Sequence, residues 1–189
     1  MSDAIPPSPF SEGFNLRDGT PVLIRVAGPE DGDKFVAAFG KLEAKSIYTR
    51  FFHVKKELGP ADLSRLATSD YSSSLVLVAC LGSGPEEAVI GAASYAPVPR
   101  SDGIRAVEVA FTIEEDYQGQ GLATKLLASM AGIARQHGIE CFEAEVLSEN
   151  AAMLSVFKRC GLALKITREQ GVNHLVMDLN PPGRGDQAT

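Results

Sequence analysis

The chain has 189 residues, 44% hydrophobic and 22% charged, with a formal net charge of −6. That balance belongs to a globular protein with one sizeable core, and the net acidity argues against a general nucleic-acid binder. No apolar run approaches the roughly 18 residues that suggest a membrane span, and Met1 to Pro7 lacks the charged and apolar regions of a signal peptide. A cytoplasmic protein is therefore expected. Cys80, Cys141 and Cys160 each lie in or beside an apolar run and read as free, buried thiols. There is no C-x-x-C, and His53, His137 and His174 are scattered, so no metal site is expected.

In chain order, residues 1–13 read as a flexible arm, 14–180 as a single domain and 181–189 as a flexible tail. Phe14 to Leu16 and Pro21 to Val26, joined across Asp18-Gly19, predict a hairpin. Pro29 opens a helix whose apolar face is Phe35, Val36, Phe39 and Leu42. A second helical piece holds Ile47, Tyr48, Phe51 and Phe52, and Pro60 starts a short third through Leu63 and Leu66. Ser74 to Leu81 and Val89 to Tyr95 read as a strand pair. Val107, Val109, Phe111 and Ile113 alternate with Glu108, Ala110 and Thr112, the period of a strand. After a glycine-bearing turn, Leu122, Leu126, Leu127, Met130, Ile133 and Ala134 recur at helical spacing, with Gly138 as the stop. Cys141 to Leu147 is a further strand. Asn150 caps a helix ended by Gly161, and a hairpin around Glu169 to Asn173 closes the chain.

The turn between the Val107–Ile113 strand and its helix carries the chemistry. It runs Gln118, Gly119, Gln120, Gly121, Leu122, Ala123. Glycine lets the backbone curl with no Cβ in the way. The first N–H groups of the helix have no partner within it, and the helix dipole favours negative charge there. A phosphate-bearing ligand is the expected occupant.

On these residues the chain resembles the GNAT superfamily of acyl-CoA-dependent N-acyltransferases, whose hallmark Gln/Arg-x-x-Gly-x-Gly/Ala is met by Gln118, Gly121 and Ala123. Asn150 and Gly161 match the family's second element. The resemblance covers residues 21 to 179. A narrower one, to the catalytic domain of bacterial protein-lysine acetyltransferases, is carried by Arg17-Asp18-Gly19-Thr20, Val22 to Arg25, Pro29 to Asp31, Ser46 to Phe52 and Val107 to Ala110. In that group the domain is often fused to a cyclic-nucleotide-binding or CoA-ligase-like domain.

The resemblance implies an α/β (α+β) fold: a mixed, mostly antiparallel sheet of six to seven strands, helices on both faces, and a splayed central strand pair. It implies acetyl-CoA as co-substrate. Gln118, Gly119, Gln120, Gly121, Leu122, Ala123 and Thr124 would cradle the diphosphate, Phe111, Thr112 and Ile113 would line the pantetheine arm, and Asn150 would meet that arm or serve only as a cap. A main-chain N–H near Phe111 would face the thioester oxygen, where charge develops. Glu108 is the expected general base, since amine attack needs the neutral amine; its apolar strand predicts a partly apolar cleft around it. A salt bridge or an exposed strand face is the plainer account of Glu108, and Glu143 and Glu145 are weaker candidates. Relatives carry a Tyr where this chain has Phe157, which has no proton to give a departing thiolate; Ser155 or water could replace it. Tyr48, Arg50, Phe51 and Phe52 fall where relatives wall the acceptor, although core packing suits Phe51 and Phe52 better. His137 reads as a helix C-terminal cation, and His174 shows no partner.

The expected activity is transfer of acetyl to an amine, a protein lysine first and a small amine second, by a monomer or homodimer. A non-catalytic acyl-CoA-binding module is one rival. A dinucleotide binder is another, with Glu140 as its acidic residue, but the hairpin-linked strands disfavour it.

Overall fold

The structure is a computed structural model and describes residues 10–52 and 55–180. Residues 1–9 and 181–189, read above as part of the arm and as the tail, lie outside the described residues, as does His53.

Strand β3 (Leu75–Leu81) shows how the sheet separates two cores. Leu75, Leu77 and Ala79 enter the larger one; Val76, Val78 and Cys80 enter the other. Both faces are covered, so the strand reads as one continuous apolar run. On the first face lie α4 (Leu122–Gln136) and α5 (Ala151–Arg159), contributing Leu122, Leu126, Met130 and Phe157. On the second lie α1 (Gly32–Lys41) and α3 (Pro60–Ser64), contributing Phe35, Ala38 and Leu63. Helix α2 (Ala44–Phe51) packs beside the strand formed by residues 106–113. Val36, expected on the apolar face of α1, is 50% exposed. The helix turns Phe35, Ala38 and Phe39 inward, and Val36 falls off that stripe.

Among the described residues one sheet holds eight strands, in the order β1-β2-β3-β4-β5-β6-β8-β7. The others are β1 (Ser11–Asn15), β2 (Pro21–Val26), β4 (Ala88–Pro97), β5 (Ala106–Ile113), β6 (Cys141–Leu147), β7 (Ala163–Glu169) and β8 (Val172–Asp178). The count exceeds the six to seven expected because β1 is a full edge strand, in register with β2 from Ser11↔Arg25 to Asn15↔Pro21. Residues 11–13, assigned from sequence to a flexible arm, are part of it. Every pairing is antiparallel except β5 with β6.

The remaining punctuation follows local chemistry. Gly138 and Gly161 take φ of 72° and 75° just past α4 and α5. Gln170 and Gly171, with φ of 47° and 84°, make the tight turn between β7 and β8. Away from the site, Arg25 joins Asp31 (2.7 Å) and Glu87 (2.5 Å), tying β2 to the start of α1 and to the residue preceding β4. The Arg25 guanidinium holds both carboxyls below their ordinary range.

Candidate functional site

The site begins where β5 and β6 part. They pair through only three rungs, Ala106↔Cys141, Val107↔Phe142 and Glu108↔Glu143. Beyond that point β5 stays with β4 as far as Ile113, and β6 stays with β8 as far as Leu147. Backbone groups of a strand point alternately to its two neighbours. Ala106 O accepts from Val98 N and Glu114 N donates to Ile90 O, so even-numbered residues of β5 face β4. Val109 and Phe111 therefore turn their N–H and C=O groups into the opening. The Phe111 ring meets Phe157 of α5 edge-on, with centroids 5.8 Å apart, and fills the space beneath the parting strands.

At the far end of β5 the chain turns into α4. Gly119 and Gly121 have φ of 71° and 91°, values that side-chain-bearing residues rarely adopt. A Cβ on Gly119 would meet nothing within 4 Å, so the turn is open on that side. No side chain caps α4. Among the described residues, no protein acceptor faces the main-chain N–H groups of Gly119 to Thr124; the first bond of the helix is Lys125 N to Gly121 O, 3.1 Å. Gln118 braces the turn, its Nε2 donating to Ile113 O at 2.9 Å and to Ser46 Oγ at 3.4 Å. Arg17, in the β1–β2 turn, donates from Nη1 to Gly119 O at 2.9 Å.

These elements enclose a cleft of about 560 Å³. Its wall includes Phe111, Thr112, Ile113, Gln118, Gly119, Gly121, Leu122, Ala123, Thr124 and Asn150, so the structure brings together ten of the eleven residues expected to hold a cofactor. Gln120 is the exception; it does not line the cleft, and its carbonyl accepts from Arg17 N at 3.3 Å. Asn150 caps α5, its Oδ1 accepting from Met153 N at 3.1 Å. Sequence reasoning passed over Arg17, Lys45 and Arg159, which bring positive charge to the wall, and Ser46 and Thr49 of α2. Ser155 also lines the cleft, whereas Phe157 is buried.

Glu108 sits on the last paired rung, at the apex of the opening. It is exposed, the strand-face reading weighed above, rather than enclosed in the partly apolar cleft expected. Its carboxylate acts on Arg50 of α2: burial and Arg65 push the Arg50 guanidinium down from its ordinary value, while Glu108 and Asp62 oppose them. Arg50 and Phe51 line a second hollow of about 130 Å³ on this face of the sheet, together with Ala110, Thr112 and Glu114. Thr112 belongs to both walls, so the two hollows meet at β5. Tyr48 is exposed, Phe52 ends α2 with φ of 59°, and neither lines this hollow.

Glu143, the neighbour of Glu108 on β6, is engaged. It accepts from Arg100 and lies 3.5 Å from Nε2 of His174, which thus has the partner not visible in the sequence. Arg100 also bonds Asp102 and holds that carboxyl down to about 2. Glu145 is exposed. His137 closes α4 and stacks on Tyr71 at 5.6 Å. Among the described residues no group of three or more His, Cys, Asp or Glu could hold a metal ion. No helix among them is long and apolar enough to cross a membrane.

The profile of the Acetyltransferase (GNAT) family matches residues 42–162, which hold β5, the glycine turn, α4, β6 and α5. The chain belongs to the GNAT family. It is therefore an acyl-CoA-dependent N-acyltransferase, with the splayed mixed sheet of that fold. It is similar to Acetyltransferase Pat of Mycolicibacterium smegmatis, 30% identical over 88% of this chain and 48% of the relative. It thus spans about half the length of that protein. It is also similar to Acetyltransferase PA5475 of Pseudomonas aeruginosa, 32% identical over 74% of this chain and 73% of the relative. Among solved structures, the GNAT domain of S. lividans PAT superposes with a TM-score of 0.78 at 30% identity, covering 89% of this chain and 96% of that one.

Proposed function

We propose that this GNAT domain moves an acetyl group from acetyl-CoA to an amine, a protein lysine in the first instance, with Glu108 as general base. The observation that carries this is the alignment of three features along β5: a carboxylate at the apex of the opening, free main-chain groups beside it, and unpartnered N–H groups at its end. The glycine turn would take the diphosphate, the wall from Phe111 to Ile113 the pantetheine arm, and Asn150 the arm's flank. Phe111 N–H would stabilise negative charge on the thioester oxygen.

The acceptor would come from the Glu108 face, through the hollow of Arg50 and Phe51. Glu108 takes the ammonium proton, directly or through water. The freed amine nitrogen bonds to the acetyl carbon, the carbon–sulfur bond breaks, the nitrogen sheds its extra proton to solvent, and the departing thiolate takes one from solvent, directly or through Ser155, which solvent re-protonates. A largely apolar hollow suits the aliphatic stem of a lysine, and a lysine target is what the resemblance to bacterial protein-lysine acetyltransferases implies. A small amine would use the same entrance. A cytoplasmic setting accords with the free thiols Cys80, Cys141 and Cys160.

The test is thiol release from acetyl-CoA across a panel of lysine peptides and small amines. Release with peptides above all small amines is expected. Preference for a small amine would redirect the acceptor, and a tight coenzyme A complex that releases thiol with no amine would leave only a binding module.

A further inference from the structure

We infer that Arg17 is the positioning residue of the anion-binding turn, acting from the far edge of the sheet through the turn's own carbonyls. The inference rests on the proposal above that this turn holds a diphosphate. Arg17 touches two successive peptide units: Nη1 donates to Gly119 O at 2.9 Å, and its main-chain N–H donates to Gln120 O at 3.3 Å. In a planar trans peptide the C=O of one residue and the N–H of the next point in opposite directions. Tying the carbonyls of Gly119 and Gln120 to Arg17 therefore turns the N–H groups of Gln120 and Gly121 away from the hairpin, and among the described residues neither N–H meets an acceptor. With both glycines at positive φ, a turn of this kind has several shapes open to it. Arg17 selects one before the ligand arrives.

The hairpin that presents Arg17 is itself held to α4. Glu12 of β1 accepts from Lys125 Nζ at 2.6 Å and from Ser129 Oγ. Phe14 comes within 3.8 Å of where a Cβ on Gly121 would stand. The turn carrying Arg17 is closed by Leu16 N to Thr20 O and by Thr20 N to Asp18 Oδ1, 2.9 and 2.8 Å. Arg17 thus acts from a braced support, 102 residues earlier in the chain than Gly119.

The test uses the full 189-residue chain and its Arg17→Ala and Arg17→Lys variants. Calorimetry gives the affinity of each for coenzyme A, dephospho-coenzyme A and S-acetylpantetheine. The first two carry the diphosphate; the third does not. Arg17→Ala should weaken both diphosphate ligands equally, by roughly ten- to hundred-fold, and leave S-acetylpantetheine unchanged. Arg17→Lys, which keeps a donor of similar reach, should recover most of the loss. Because Arg17 is exposed, the thermal midpoints of the ligand-free variants should match the wild type. Equal affinities in Arg17→Ala and wild type would overturn the role of Arg17 alone. Parallel loss of S-acetylpantetheine would reduce it to general structural support and overturn it too. If the wild type itself bound coenzyme A no better than S-acetylpantetheine, the diphosphate proposal would fall and Arg17 with it.

Discussion

Strand β5 leading into α4, and β6 leading into α5, are the same construction set side by side. One is left open and the other is closed. On the β6 limb the strand keeps β8 where it parts from β5, Glu143 is engaged by Arg100 and His174, and Asn150 caps the helix. On the β5 limb the strand likewise keeps β4, but Glu108 is exposed and α4 starts without a side-chain cap. Half-buried polar groups are costly when unsatisfied, so the main-chain N–H groups of Gln120 and Gly121 call for something that completes them. The closed limb shows that the chain has the residues to satisfy such a unit. The open limb is where the proposed function puts acetyl-CoA.

The sharpest way to break the comparison is to exchange the two carboxylates on the shared rung. Glu108→Gln should lower turnover about 10²- to 10⁴-fold near neutral pH, the usual contribution of a general base, with coenzyme A affinity unchanged. Glu143→Gln should leave turnover within a few-fold of wild type. Steady-state rates and calorimetry on the pair decide it; equal losses would erase the distinction between the limbs. A second, smaller effect concerns the glycine turn. Gly121→Val forces a β-branched residue to φ near 91° and should cost about 1–2 kcal/mol of stability, read by chemical denaturation, while weakening coenzyme A at least several-fold. Unaltered affinity would mean that the shape of the turn is irrelevant to binding. The smallest effect belongs to the closed limb. Asn150→Ala removes the cap and should cost about 1 kcal/mol, which Asn150→Asp should restore because it keeps the accepting oxygen. Coenzyme A affinity separates cap from contact: a fall of a few-fold in both variants locates the amide against the ligand, and no fall leaves Asn150 a cap alone.

What could be read from the chain was what local chemistry decides. The alternation from Val107 to Ile113, the glycines of the turn and the periodicity after Leu122 each follow from a few neighbouring residues, and all three hold. The cap at Asn150 is of the same kind, set by a side chain reaching three residues on. What escaped notice depends on distant parts of the chain meeting. Arg17 reads as one member of a hairpin turn until β1 is laid beside α4. His174 finds Glu143 only because β6 and β8 pair in register. The exposure of Glu108, weighed beside the partly apolar cleft, is not decided by Val107 and Val109, since they describe the opposite face of that strand and not its own. The first hairpin strand reads from Phe14 but starts at Ser11, since residues at a sheet edge, exposed and half-buried in turn, carry little apolar signal.

Thr112 stands in the wall of both hollows. Under the proposed function one hollow would take the amine and the other the acyl-CoA, with Thr112 common to both linings. On that reading a substitution at Thr112 would be expected to shift the preference for donor and acceptor together, tying the two specificities to each other.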